Sequence, residues 1–233
     1  MRILNSLLCL PIAYLLGSIP TAVWVAKITR GIDIRHYGSK NAGLTNVFRV
    51  LGFKPALPVV FVDLSKGFLA PFIAMKMVAA FEPSYDWLPL VAGLLAILGH
   101  SFTCFAGFRG GKGVLTALGV FLALCPITAL ASFGVWILLI ALTKYVSVGS
   151  IGGCLALATF STMGYFELPF PPEKISLGLL ITTILVAVFV IYKHKANIKR
   201  LMNGTENGFG KKRKVSKESF DAMTAKENKS SEK

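Results

Sequence analysis

Charge is scarce in this chain, and negative charge is scarcer still. Only 15% of its 233 residues are Asp, Glu, Lys or Arg, with 11 acidic against 25 basic, where a soluble domain carries roughly a quarter. Too few charged side chains are present to solvate a water-facing surface of this size. Ahead of the C-terminal tail, the carboxylates expected on the cytoplasmic face are Asp33, Asp63 and Glu206. No acidic cluster exists to hold Mg²⁺, which disfavours two-metal chemistry and transfer of the CDP-alcohol type. No C-x-x-C occurs: Cys9, Cys104, Cys125 and Cys154 are scattered, mostly inside apolar runs, so neither a disulfide framework nor a zinc site is supported. No metal and no cofactor is expected.

What is abundant is hydrophobic length. Apolar residues make up 54% of the chain and the mean hydropathy is +0.65. Runs of roughly 20 residues recur, enough for about 30 Å of helix. The expected fold is an all-α membrane protein with about seven transmembrane helices, a single polytopic domain over residues 1–206. The predicted spans are Leu4 to Ala26, Ala56 to Ala80, Trp87 to Ala106, Val114 to Cys125, Ile127 to Thr143, Gly149 to Phe166 and Ile175 to Tyr192. The fourth is short, and Pro126 marks the break after it. A cleaved secretory signal is the competing reading of the first span, but that run is long for one and six more spans follow.

The net charge of +14 is placed by the positive-inside rule. Lys and Arg crowd the first, third and fifth connections and the tail, whereas Phe81 to Asp86 has none. The N-terminus is then outside and the C-terminus cytoplasmic, and every glycine-rich polar loop falls on the cytoplasmic side, partly re-entrant where it lines a wet cavity. Residues 207–233 are expected to form a disordered basic tail, suited to anionic lipid or simply solvated. Lys211 to Val215 has the look of a nuclear localisation run, a chance match in a multispan protein. The excess positive charge suits lipid headgroups or a phosphorylated substrate, with no nucleic-acid partner.

The stretch Gly107-Phe108-Arg109-Gly110-Gly111-Lys112-Gly113 lies between two apolar runs. Its glycines let the backbone approach a ligand, Arg109 offers a forked donor, Lys112 a mobile charge, and a helix N-terminus follows. It is not a Walker A loop, since Gly113 rather than Ser or Thr follows Lys112. A phosphate cradle is the functional reading; a basic turn between helices is the plain one. Ser39, Asn41, Thr45 and Asn46 form a second set of short polar side chains, alternating with Gly38 and Gly43. Asp63 and Lys66, three apart within a span, share a helix face as a structural ion pair or a substrate contact. Ser147 and Ser150 open the sixth span as helix caps or phosphate donors. His194 and Asn197 can face one way as binders or belong to a membrane anchor. No His stands five residues before an Asp: His36 leads to Asn41, His100 to Phe105 and His194 to Lys199. The His-x4-Asp base of the better-known glycerolipid acyltransferases is absent.

These segments resemble a known family. Gly17-Ser18-Ile19-Pro20, Asp33-Ile34-Arg35, Gly38 through Arg49, Asp63-Leu64-Ser65-Lys66-Gly67, Gly99-His100-Ser101-Phe102, Phe108 through Val114, Ser147 to Ile151 and His194 to Gly204 with Glu206 are similar, in order, to motifs of the bacterial acyl-phosphate:glycerol-3-phosphate acyltransferases. The likeness runs from about Leu15 to Glu206. Leu44, Thr103 and Leu115 depart from that pattern, where Ala, Pro and Ala are usual. The resemblance implies a multi-pass enzyme of the bacterial inner membrane. It would join an acyl group from acyl phosphate to glycerol 3-phosphate as the first step of phosphatidic acid synthesis, as a monomer, with the substrate's own phosphate taking the hydroxyl proton. The implied catalytic set is Lys112, Ser147, His194 and Asn197. The implied phosphate and substrate contacts are Ser39, Asn41, Asn46, Arg49, Arg109, Gly110, Gly111, Gly113 and Ser150. A transporter of phosphorylated solutes is the alternative, against which stand the one-sided loops and the lack of an internal repeat. A scaffold for lipid-synthesis enzymes is the third.

Overall fold

The computed structural model describes residues 6–81 and 83–208; the expected tail falls almost wholly outside them. Among the described residues every regular element is helical. The helices are α1 Cys9–Gly17, α2 Thr21–Arg30, α3 Leu44–Leu51, α4 Phe53–Phe81, α5 Leu88–Ser101, α6 Val114–Leu124, α7 Pro126–Thr143, α8 Val146–Tyr165, α9 Leu177–Lys193 and α10 Lys195–Met202.

Five segments are long and apolar enough to cross a membrane: Cys9–Arg30 (α1 with α2), α4, α5 extended to Ala106, α7 and α8. A sixth comes with α9, from which α10 turns away by 57°. The seventh expected span, α6, has only 11 residues, about 16 Å of helix, so length alone does not bear out a count of seven. Its limits have a local cause. Gly113 holds φ +80° just before it, and Pro126 after it has no N–H to continue a ladder. The first span departs too. Pro20 breaks it between α1 and α2, and the second half runs on to Arg30, where Gly31 takes φ +68°.

Helices approach closely where side chains are small, as expected without a hydrophobic drive between apolar surfaces in lipid. α4 and α6 pack with almost no separation: a Cβ on Gly67 would strike the Thr116 carbonyl, and one on Gly119 the Leu64 carbonyl. Of these five spans α7 is the least covered, with 17% of its residues buried, so it forms the lipid-facing wall. Its N-terminus is held by Glu173 of the α8–α9 connection, whose carboxylate accepts from Ile127 N and Thr128 N at 2.8 Å each and from Thr128 Oγ1 at 2.7 Å. An acid at a helix N-terminus meets both its free N–H groups and its dipole.

Asp63 and Lys66 pair at 2.7 Å, both side chains at most 3% exposed. Lys66 Nζ also donates to the Ile19 carbonyl at 2.8 Å, Thr21 Oγ1 donates to Asp63 at 3.2 Å, and His100 Nδ1 stands 3.7 Å from the same carboxylate. The pair therefore ties α4 to the broken α1–α2 junction and to α5. The Ile19 carbonyl, which also accepts from Thr21 N at 3.0 Å, thereby gains a charged donor.

Candidate active site

The C-terminal ends of α2, α5, α7 and α9 and the N-terminal ends of α6 and α8 meet at one face. There a cavity of about 350 Å³ opens. The first connection, expected to be a polar loop, reaches it through the helix α3. Asn46 on α3 is 1% exposed and acts as the loop's anchor. Its Nδ2 lies 3.1, 2.9 and 3.1 Å from the carbonyls of Ile34, Tyr37 and Asn41, and its Oδ1 accepts from Ser39 N at 2.8 Å. These bonds to backbone position Ser39 and Asn41 at the cavity, which Asn46 also lines.

Two N–H groups of the expected cradle, those of Gly110 and Gly111, are spent on the protein's own backbone. Gly110 N donates to the Ser101 carbonyl at 3.2 Å and Gly111 N to the His100 carbonyl at 3.1 Å. A Cβ at Gly111 would collide with the His100 ring and lie 2.7 Å from the Ala42 carbonyl. These glycines let the loop fold flat against α5 and the first loop, which sets Lys112 at the cavity wall. Arg109 does not join Lys112. It is exposed and lines a separate basin of about 250 Å³ with Arg35, His36, Lys40 and Gly110. Arg35, paired with Asp33 at 2.6 Å, stitches this region together by donating to the Ala106 carbonyl at 2.6 Å.

The cavity gathers Ser39, Asn41, Arg49, Lys112, Gly113, Ser147, Ser150, His194 and Asn197, most of the residues singled out from the sequence. Ser147 and Ser150 lie inside α8, whose N-cap is Tyr145, so neither caps that helix. Ser150 Oγ donates to the Val146 carbonyl at 2.9 Å.

The residue that organises the rest was missing from the expected site: Glu206. Lys112 Nζ donates to Asn197 Oδ1, and Asn197 Nδ2 donates to Glu206 Oε1 at 2.7 Å. Ser147 Oγ donates to the same oxygen at 3.1 Å, and Arg200 Nε donates to Oε2 at 2.7 Å. Arg49 closes the ring by donating to the Asn207 carbonyl at 3.0 Å. Its signal in the sequence was slight: one carboxylate in a basic segment, nine residues after the Asn it binds.

The electrostatics follow from burial. Burial pushes the Glu206 carboxyl up, but the donors Asn197, Arg200 and Ser147 outweigh it and hold the group ionised. Burial lowers the Lys112 ammonium to about 8, with Glu206 opposing and Arg200 and Arg49 adding to the fall. Burial and the nearby Lys112 charge push His194 down to about 4, so it is neutral at physiological pH. Its Nδ1 lies 2.8 Å from the Val190 carbonyl, which can only accept. The proton therefore sits on Nδ1, leaving Nε2 as an acceptor. The cavity thus offers cations at Lys112, Arg49, Arg200 and Lys40 against few carboxylates, a setting for a phosphorylated molecule.

Away from this polar end, the cavity continues between α6, α7 and α8, lined by Leu118, Phe121, Phe133, Trp136 and Leu157. It joins a phosphate-suited mouth to an apolar leg.

Residues 7–204 match the family model described as glycerol-3-phosphate acyltransferase. The chain is 46% identical over 198 residues to a glycerol-3-phosphate acyltransferase of Fusobacterium nucleatum, covering 85% of this chain and 95% of that relative. It is 42% identical over 230 residues to one from Chlorobaculum tepidum, covering 90% and 99%. Among solved structures it resembles PlsY (YgiH), an integral membrane glycerol 3-phosphate acyltransferase, in its glycerol 3-phosphate form. That match has a TM-score of 0.76 and 39% identity, and covers 88% of this chain and 96% of that one. The lysophosphatidic acid form gives a TM-score of 0.73 at the same identity.

Proposed function

The chain belongs to the glycerol-3-phosphate acyltransferase family, and we propose that it moves a fatty acyl group from acyl phosphate to the 1-hydroxyl of glycerol 3-phosphate. The products are 1-acylglycerol 3-phosphate and inorganic phosphate. The observation that carries this reading is the cavity itself, where a cation-rich mouth around Lys112 leads into an apolar leg between α6, α7 and α8. One substrate is wholly polar and phosphorylated, and the other joins a phosphate to an acyl chain.

The glycerol 3-phosphate would be held through its phosphate by Arg49 with Ser39 and Asn41. The acyl phosphate would lie with its phosphate at Lys112 and its chain in the apolar leg. Ser147 already spends its proton on Glu206, so its oxygen is left to accept a hydrogen bond from the attacking hydroxyl. Neutral His194 Nε2 is a second acceptor. Neither has to be the terminal base. The glycerol oxygen attacks the acyl carbon, the C–O bond to phosphate breaks, and the hydroxyl proton leaves on the departing phosphate. The protein acts by orientation and by fixed positive charge placed where the leaving group gains charge. Asn197 is a positioning residue, holding Lys112 through its oxygen while Glu206 holds its nitrogen. The enzyme would work in the bacterial inner membrane, with seven passes if α6 counts as one, the N-terminus outside and the site facing the cytoplasm, as a monomer.

The test is phosphate release by the purified protein from palmitoyl phosphate with and without glycerol 3-phosphate. Release that requires glycerol 3-phosphate, with lysophosphatidic acid formed in equal amount, is expected. No release from folded protein in lipid-like detergent overturns the assignment.

A further inference from the structure

The apolar leg has a floor. On each of its three helices the deepest residue lining the cavity is Phe121 (α6), Ala129 (α7) or Leu157 (α8). All three are buried, at 1%, 1% and 6% exposure. The register of the α7–α8 hairpin sets them level. The backbone of Gly149 faces Trp136 and Ile140, and that of Gly153 faces Ser132 and Trp136. One further turn on this antiparallel pair brings Leu157 opposite Ala129. Beneath this layer the bundle is filled: Cys125, Ile175 and Leu180 belong to the same packed cluster, and Glu173 seals the start of α7.

The depth is set by helical rise. Leu157 stands about ten residues below Ser147, about 15 Å along α8. A carbon–carbon bond of about 1.5 Å advances an extended zigzag by roughly 1.25 Å per carbon. The leg therefore takes roughly a dozen extended carbons before the terminal methyl meets the floor. A longer chain must fold within the leg or turn out towards lipid.

We infer that Ala129, with Phe121 and Leu157, measures the acyl chain: this layer sets how long a donor the enzyme handles well. The inference rests on the acyl-transfer reading above. Ala129 is the adjustable member, because its small side chain leaves the space that the last carbons use.

The experiment follows lysophosphatidic acid formation from a series of donors, octanoyl to stearoyl phosphate, with the full chain as wild type, Ala129→Leu and Leu157→Ala. In Ala129→Leu the longest donors should lose tenfold or more relative to octanoyl phosphate, whose own rate stays within about twofold of wild type. In Leu157→Ala the profile should shift towards longer donors. Gel filtration and thermal unfolding in detergent identify any variant that does not fold, and the remaining one then decides. Profiles parallel to wild type in a folded variant overturn the ruler while leaving acyl transfer intact. Wild type inactive with every donor removes the transferase reading itself.

Discussion

Asn197 donates through Nδ2 to Glu206 Oε1 at 2.7 Å, and its other amide atom accepts from Lys112. One uncharged side chain thus sits between an ammonium and a carboxylate. Spacing them keeps the Lys112 charge available to an anion rather than neutralised by Glu206. Asn197→Leu should leave Lys112 without its acceptor and Glu206 short of a donor. The expected result is at least a hundredfold loss in kcat with the protein still folded. A near-normal kcat in a folded Asn197→Leu variant refutes the linking role.

Removal of the charge itself is the sharper test. Lys112→Ala should lower turnover by orders of magnitude without unfolding the protein, because burying an ammonium costs stability and its loss relieves that cost. Measured by lysophosphatidic acid formation alongside thermal unfolding, near-normal turnover in that variant would sink the placement of phosphate at Lys112.

The pH dependence has a definite sign. Burial lowers Lys112 to about 8, so its charge is present at neutral pH and lost as pH climbs past that value. kcat/KM should fall on the alkaline side with an apparent midpoint near 8, and Lys112→Arg, which stays charged, should move that limb upward. The same shift links to stability. A lysine whose pKa is lower folded than unfolded destabilises the fold in full below its folded value of about 8, and the cost fades as pH rises from there to the ordinary value of about 10.4. Inorganic phosphate, the group that would leave from Lys112, supplies the missing counter-charge and should therefore raise the melting temperature more at neutral pH than above pH about 9. Equal shifts at both would contradict a phosphate at Lys112.

The Asp63–Lys66 pair predicts a stability effect. Both side chains are nearly sealed and share partners across three helices. Lys66→Met strands a buried carboxylate, and breaking such a pair costs about 3–5 kcal/mol. Asp63→Asn with Lys66→Met together should recover much of the loss. Thermal unfolding in detergent checks it; a single variant as stable as wild type would show that the pair does not hold the α1–α2 break.

Much of this was legible in the sequence for physical reasons. Hydrophobic length announces membrane helices, and short polar residues gathered on one side announce a ligand. Ser39, Arg49, Lys112, Ser147, His194 and Asn197 do meet at one cavity. What could not be read were relationships that depend on long-range packing. Nothing local says that the Gly110 and Gly111 N–H groups are spent on α5 carbonyls, or that Arg109 turns to a different basin from its neighbour Lys112. Asn46 has the side chain of a ligand, and its contacts make it a bracket for the loop. Glu206 stands in the sequence as a lone carboxylate whose role is hidden, because its partners come from α8 and α10. The length of α6 hinged on where one positive φ and one proline fell.

The carboxylate at Glu206 lies four residues beyond α10, the last helix among the described residues, while its partners begin as early as Ser147. During synthesis the apolar helices therefore enter the membrane long before the site can close. Until α10 and Glu206 leave the ribosome, Lys112, Asn197 and Ser147 lack the fastening that sets their places. A product cut short after α9 would insert and stay silent, so the protein withholds activity until almost all of its described chain has been made.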